Sequence, residues 1–131
     1  MSIDENKRVV RRFITEVLSG GNINVMDELL APNYANPSMG VTNRDGFKAV
    51  VSGLKTAMPV RVFEIANLVA EGDSVVYRGN FHWTTADGKK VSGRVITYYR
   101  LANGKIVEDE PMSVPPLSDT LGGMMPPQSA P

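Results

Sequence analysis

Three turn dipeptides, Glu71-Gly72, Asp87-Gly88 and Asn103-Gly104, cut the second half of the chain into four runs rich in β-branched and aromatic residues. The last turn is the most constraining. Asn-Gly between RVITYYRLA and KIVEDEPM is a strong hairpin signal, because both residues tolerate the positive φ of a type I′ turn. With VRVFEIANLVA, DSVVYRGNFHWTT and KKVSGRVITYYR upstream of it, the pattern predicts a four-stranded antiparallel meander.

Ahead of the strands, three segments carry helical spacing. Ser2-Ile3-Asp4-Glu5 has the Ser-x-x-Glu form of a capping box, followed by Val9, Val10, Phe13, Ile14, Val17 and Leu18. Gly20-Gly21 closes this helix, which spans about residues 4 to 19. Asn24 caps a shorter second helix that Pro32 stops, and NYANPSMG reads as a loop. Thr42 or Asn43 caps a third helix, with Phe47, Val50, Val51, Leu54 and Met58 on one side and Pro59 at its end. The expected fold is therefore α+β: three N-terminal helices packed on a curved, mainly antiparallel four-stranded meander that encloses a pocket. One domain covers residues 1–112, and residues 113–131 form an irregular tail rich in Pro, Gly and Met.

Composition narrows the function classes. Fourteen Lys and Arg balance fourteen Asp and Glu, which argues against nucleic acid, a partner that needs a basic face. With no cysteine and one histidine, the common zinc sites cannot be built, so no metal or cofactor is expected. The opening MSIDENKRVV lacks a secretory apolar core, and no run approaches the ~20 apolar residues of a membrane span, so a cytoplasmic protein is expected.

Counting outward from two-residue hairpins assigns side chains to faces. On this count Tyr77 meets Tyr98, Phe81 meets Arg94, Tyr98 meets Asp109 and Glu64 meets Gly79. The helix-covered face then holds Glu64, Tyr77, Phe81, Trp83, Arg94, Tyr98 and Asp109, the composition of a small-molecule pocket with apolar walls and a few polar groups. Among aromatic rings a carboxylate loses hydration and its pKa rises toward working pH. Asp109 is thus the expected acid–base group, with Tyr98 or Tyr77 as hydrogen-bond donor to a developing enolate. Arg94, Trp83, Phe81, Glu64 and Tyr34 are expected to contact substrate, with Tyr34 either there or in the core. The competing assignments are a structural Asp109–Arg94 ion pair and a simply exposed carboxylate. His82, Glu108 and Glu110 fall on the outer face, where a second copy of the chain could meet the sheet as a homodimer. An apolar small molecule is the expected ligand.

The stretches KRVVRRFITEVLSGGNINVMDELLAPNYANP, NRDGFKAVVSGL, LVAEGDSVVYRG and YYRLANGKIVEDE resemble the nuclear-transport-factor-2-like superfamily, and within it the SnoaL-like polyketide cyclases. The resemblance covers about residues 5 to 112. It implies a cone-shaped α+β fold and cofactor-free aldol cyclisation, with an Asp near the end of the last hairpin as acid–base. Asp109, or Glu110 after a one-residue shift, matches that position. A non-catalytic binding module of the same fold is the alternative.

Overall fold

The computed structural model describes residues 2–116. Helix α1 (Ile3–Arg12) starts at Ser2, whose hydroxyl accepts from the Glu5 N–H and donates to the Glu5 carboxylate, both at 3.1 Å. It continues as a wider π-type segment, Phe13–Ser19, which turns Phe13, Ile14 and Val17 into the core. Helix α2 (Met26–Leu29) is a single turn, led in by a 3-10 turn at Ile23–Val25. Helix α3 (Arg44–Ala57) is capped by Asn43, whose side chain accepts from the Gly46 N–H at 2.8 Å, and it buries Phe47, Val51 and Leu54.

The sheet has five strands, not four. Strand β1 (Leu30–Ala35) occupies the stretch expected as helix end and loop, and it pairs parallel with β5 (Lys105–Val114). Strands β2 (Val60–Glu71), β3 (Ser74–Thr84) and β4 (Lys90–Ala102) complete the order β1-β5-β4-β3-β2. Because β1 lies at the sheet edge, Pro32 within it leaves no broken ladder. Ser113 and Val114, expected in the tail, extend β5. The rest of the expected tail, from Leu117 on, lies outside the described residues.

The hairpin at Asn103-Gly104 has the expected form, with positive φ at both residues and Ala102 opposite Lys105. The other registers differ from the two-residue count. Strands β2 and β3 turn at Gly72-Asp73, with Glu71 opposite Ser74, and a bulge at Ala66 reverses the faces of β2 beyond it. Strands β3 and β4 are joined by a longer loop, residues 85–89, in which the Thr85 hydroxyl bonds Asp87 and accepts from the Lys89 N–H. Tyr77 therefore faces Thr97, not Tyr98. A second bulge, at Val107, places Tyr99 opposite Asp109. These last two one-residue displacements flip β4 but cancel at β5. Asp109 stays on the helix-covered face while Arg94, Ile96 and Tyr98 turn outward.

The core lies between the helices and this face. Phe81 stacks on Trp83 at 4.7 Å between ring centroids, and Phe63 leans on both. Phe13, Tyr34, Phe47 and Tyr99 form a second aromatic group below β1 and β5. Buried Arg61 on β2 donates to the Leu18 carbonyl at 2.8 Å and the Met58 carbonyl at 3.2 Å. One guanidinium thus satisfies carbonyls at the ends of two helical segments and holds them together.

Candidate active site

Asp109 is 4 % exposed, at the centre of β5 and opposite Tyr99. Its Oδ2 accepts a 2.5 Å hydrogen bond from the Tyr34 hydroxyl, which β1 delivers because the parallel β1–β5 pairing sets the two strands side by side. The Tyr34 oxygen in turn is bonded by the Asn36 carboxamide, so β1 and β5 share a buried relay of amide, phenol and carboxyl. Burial pushes the Asp109 carboxyl up to about 7, and the Tyr34 hydrogen bond works against that rise. Burial first, and then the Asp109 charge, hold the Tyr34 phenol well above its ordinary range, so it stays protonated as a donor. The same two causes act on Tyr99.

Tyr34→Phe should raise the Asp109 pKa further, because it removes the one hydrogen bond that favours the ionised carboxylate. Carboxyl-carbon NMR of wild type and variant would measure this. An unmoved or lowered Asp109 signal would mean that the phenol does not tune the acid.

Asp109, Asn36 and Tyr99 border a cavity of about 50 Å³, together with Thr97 and mostly apolar walls: Met39, Met58, Leu54 and Leu18 toward the helices, and Trp83 and Val95 from the sheet. Of the residues expected at the site, Asp109, Tyr77 and Trp83 line it. Phe81 supports it from behind by stacking on Trp83. Tyr34 acts through Asp109. The Tyr77 hydroxyl donates to the Glu64 carbonyl at 2.8 Å, crossing the sheet beside the bulge, so it is committed to the fold. Burial raises its pKa, with the Glu64 charge second.

Three expected site residues stand on the opposite face. Arg94 is exposed and faces Asn80, with no ion pair to Asp109. Tyr98 is half-buried there and shares a 2.9 Å hydrogen bond with Ser74. Glu64 is exposed, 3.4 Å from the His82 imidazole, and Glu108 pairs with Arg100 at 3.0 Å. The cause is the register described above. Counting alone missed Asn36, Thr97 and Tyr99. Had Leu30–Ala35 been recognised as a strand, the i, i+2 spacing of Tyr34 and Asn36 would have placed both toward the site.

Residues 10–109 match the model of the SnoaL-like domain family. The chain belongs to that family. No curated protein matches it. Among solved structures, a candidate polyketide cyclase from Acidithiobacillus ferrooxidans is 27 % identical, with a TM-score of 0.74 over 86 % of this chain and 91 % of that one. TsrD from Streptomyces laurentii is 20 % identical, with a TM-score of 0.80 over 93 % and 98 %. A SnoaL-like polyketide cyclase from Agrobacterium tumefaciens is 15 % identical, with a TM-score of 0.75 over 93 % and 100 %. The shared fold is the nuclear-transport-factor-2-like α+β arrangement of three helices on a mixed sheet. Among the described residues of this SnoaL-like domain, no helix is long and apolar enough to cross a membrane. Nor do three His, Cys, Asp or Glu side chains gather as a metal site among them.

Proposed function

We propose that this SnoaL-like protein is a cofactor-free acid–base enzyme of the polyketide-cyclase kind, moving a proton at carbon next to the carbonyl of a small apolar compound. The observation that carries the reading is the buried Asp109 carboxyl, bonded by Tyr34 at 2.5 Å and bordering an apolar cavity. With a pKa of about 7, Asp109 divides between acid and base forms at neutral pH, the condition under which one group both removes and returns a proton. The carboxylate takes the α-proton, and the C–H electron pair becomes the enolate. The enolate carbon then attacks a second carbonyl, and the protonated Asp109 delivers its proton to the new alkoxide. Tyr34 keeps its own proton and orients the carboxyl throughout.

The test is deuterium exchange into the α-positions of 4-methylpentan-2-one, followed by proton NMR. Wild type should accelerate exchange with a rate that rises with pH and levels off above about 7, where the Asp109 carboxyl titrates. Asp109→Asn should be slower by roughly a thousandfold. No acceleration by wild type, or equal rates in the variant, leaves the second reading, a non-catalytic binding module. The size of the cavity, about 50 Å³, favours that module: it admits a fragment, and a larger ligand enters only if flexible Met39 and Met58 swing aside.

The outer sheet face completes the proposal as a homodimer seat. Ile96, Met112 and Val114 are 51, 77 and 63 % exposed there, along a groove flanked by Arg78 and Arg94. Such an apolar patch with a polar rim has the make-up of an interface. Sedimentation equilibrium giving a monomer at every concentration would overturn this part.

A further inference from the structure

The chain has four tyrosines, and three of their hydroxyls are engaged. Tyr34 donates to Asp109, Tyr77 donates to the Glu64 carbonyl, and Tyr98 shares a bond with Ser74 on the outer face. Tyr99 is different. It is buried, the Thr97 hydroxyl donates to its oxygen, and its own hydrogen meets no acceptor among the described residues. A buried donor left unmet costs a fold stability, and few are retained without a reason.

The register sets this donor beside the acid. Tyr99 stands directly opposite Asp109 on β4 and β5, and the side chains of such a pair leave one face about 5 Å apart. The next row on that face runs Tyr77, Thr97, Pro111 across β3, β4 and β5. The Thr97 bond draws the phenol oxygen toward this row, and Tyr77, Thr97, Pro111, Asp109 and Tyr99 itself all line the cavity. Asp109 and Tyr77 both act electrostatically on the phenol. Asp109 accepts from Tyr34 and not from Tyr99, so the acid and the free donor stand side by side without consuming each other.

We infer that Tyr99 is a catalytic residue whose hydroxyl donates to the carbonyl oxygen of the ligand, and that Thr97 is the positioning residue that turns this hydrogen into the cavity. This deepens, and rests on, the reading of Asp109 as the proton-transfer group. A carbonyl oxygen and its α-carbon are two bonds apart, so donor and base must be near neighbours, and one cross-strand pair supplies both. In the enolising step the α-proton goes to the Asp109 carboxylate and the C–H electron pair moves toward oxygen. The Tyr99 hydroxyl meets the resulting charge and keeps its own proton. Its ring is packed edge-on against Phe13, at 5.8 Å between centroids, so the donor needs no reorganisation as charge develops.

The probe is 4-methylpentan-2-one enriched with carbon-13 at the carbonyl, titrated into the full-length protein. With wild type its carbonyl signal should move downfield and saturably, the signature of a hydrogen bond on oxygen. Tyr99→Phe keeps the ring on Phe13 and should abolish that shift, with affinity roughly tenfold weaker. Its deuterium exchange at saturation should fall roughly a hundredfold, the worth of one oxyanion donor. The pH midpoint should stay at about 7, because no bond joins Tyr99 to Asp109. Thr97→Val, of the same shape, should give part of both losses alone and add nothing to Tyr99→Phe, and Thr97→Ser should restore both. An unmoved carbonyl signal at saturation overturns the assignment, as do a shift unchanged in Tyr99→Phe, additive losses at Thr97 and Tyr99, or no saturable binding. A shift lost in Tyr99→Phe with exchange unslowed overturns the catalytic role. Exchange by wild type without a carbonyl shift removes Tyr99 and leaves Asp109 in place. A shift that depends on Tyr99, with no exchange in wild type, removes the proton-transfer reading and leaves a binding contact.

Discussion

Asp109→Asn is expected to lose proton transfer and, above neutral pH, to gain stability. In the folded chain the Asp109 carboxyl titrates at about 7, against an ordinary 3.8, and the cause is its burial. A carboxyl whose folded pKa lies above its unfolded value favours the fold when protonated. Its contribution is complete below the unfolded value and is lost as pH rises through about 7, as the carboxylate must ionise in a dry site. Over that window wild type should forfeit on the order of 4 kcal/mol from this group. Asparagine carries no charge at any of these pH values and still offers an oxygen to the Tyr34 hydroxyl. The variant should therefore match wild type near pH 4 and exceed it at pH 8 by an amount of that order. Asp27 and Asp87, whose pKa values are lowered chiefly by side-chain hydrogen bonds from Lys48 and Thr85, act in the opposite sense. They are common to both proteins and cancel in the difference. Urea melts of the pair at pH 4 and pH 8 make the measurement. A variant less stable than wild type at pH 8 would mean that the carboxylate is welcome where it sits, and the case for a poised acid would fail with it.

How far the chain could be read without coordinates depended on whether local signals or distant pairings decided a feature. The capping box at Ser2, the Asn43 cap and the Asn103-Gly104 turn are local, and each stands where its residues put it. The short edge strand β1 was hidden because its six residues include Pro32 and its pairing partner, β5, lies more than seventy positions away. Faces were harder than elements. A two-residue count cannot see a bulge, since an extra residue such as Ala66 or Val107 leaves the hydrophobic alternation nearly intact on either side while reversing its phase. The unseen bulge at Ala66 put Glu64 on the helix-covered face by count, and the unseen length of the 85–89 loop did the same for Arg94 and exchanged Tyr99 for Tyr98. Asp109 kept its place only because a longer loop and a bulge displaced the register by one residue each and cancelled.

The largest structural effect is expected from Gly79→Ala. Gly79 sits on β3 opposite Ile65, next to the bulge at Ala66, where β2 presses close. A Cβ there would stand 1.8 Å from the Glu64 carbonyl oxygen and 2.7 Å from the Tyr77 hydroxyl. Those two atoms form the hydrogen bond that pins Tyr77 across the sheet, so the methyl group cannot be admitted by a rotamer change alone; backbone must move. Overpacking of this kind costs about 3 kcal/mol or more. Gly72→Ala is the matched comparison. That glycine has a left-handed φ of 56° but open space around its Cβ position, so only local backbone strain, about 1 kcal/mol, is at stake. Urea midpoints of the two variants should differ clearly, with Gly79→Ala the lower, and similar midpoints would mean that β2 and β3 do not approach as described. The effect should also reach the site. Tyr77 lines the cavity with its hydroxyl engaged elsewhere, so displacing it changes the wall shape without touching Asp109. Any Gly79→Ala protein that still folds should keep the pH midpoint of proton exchange while losing ligand affinity, which separates the shape of this cavity from the chemistry at its edge.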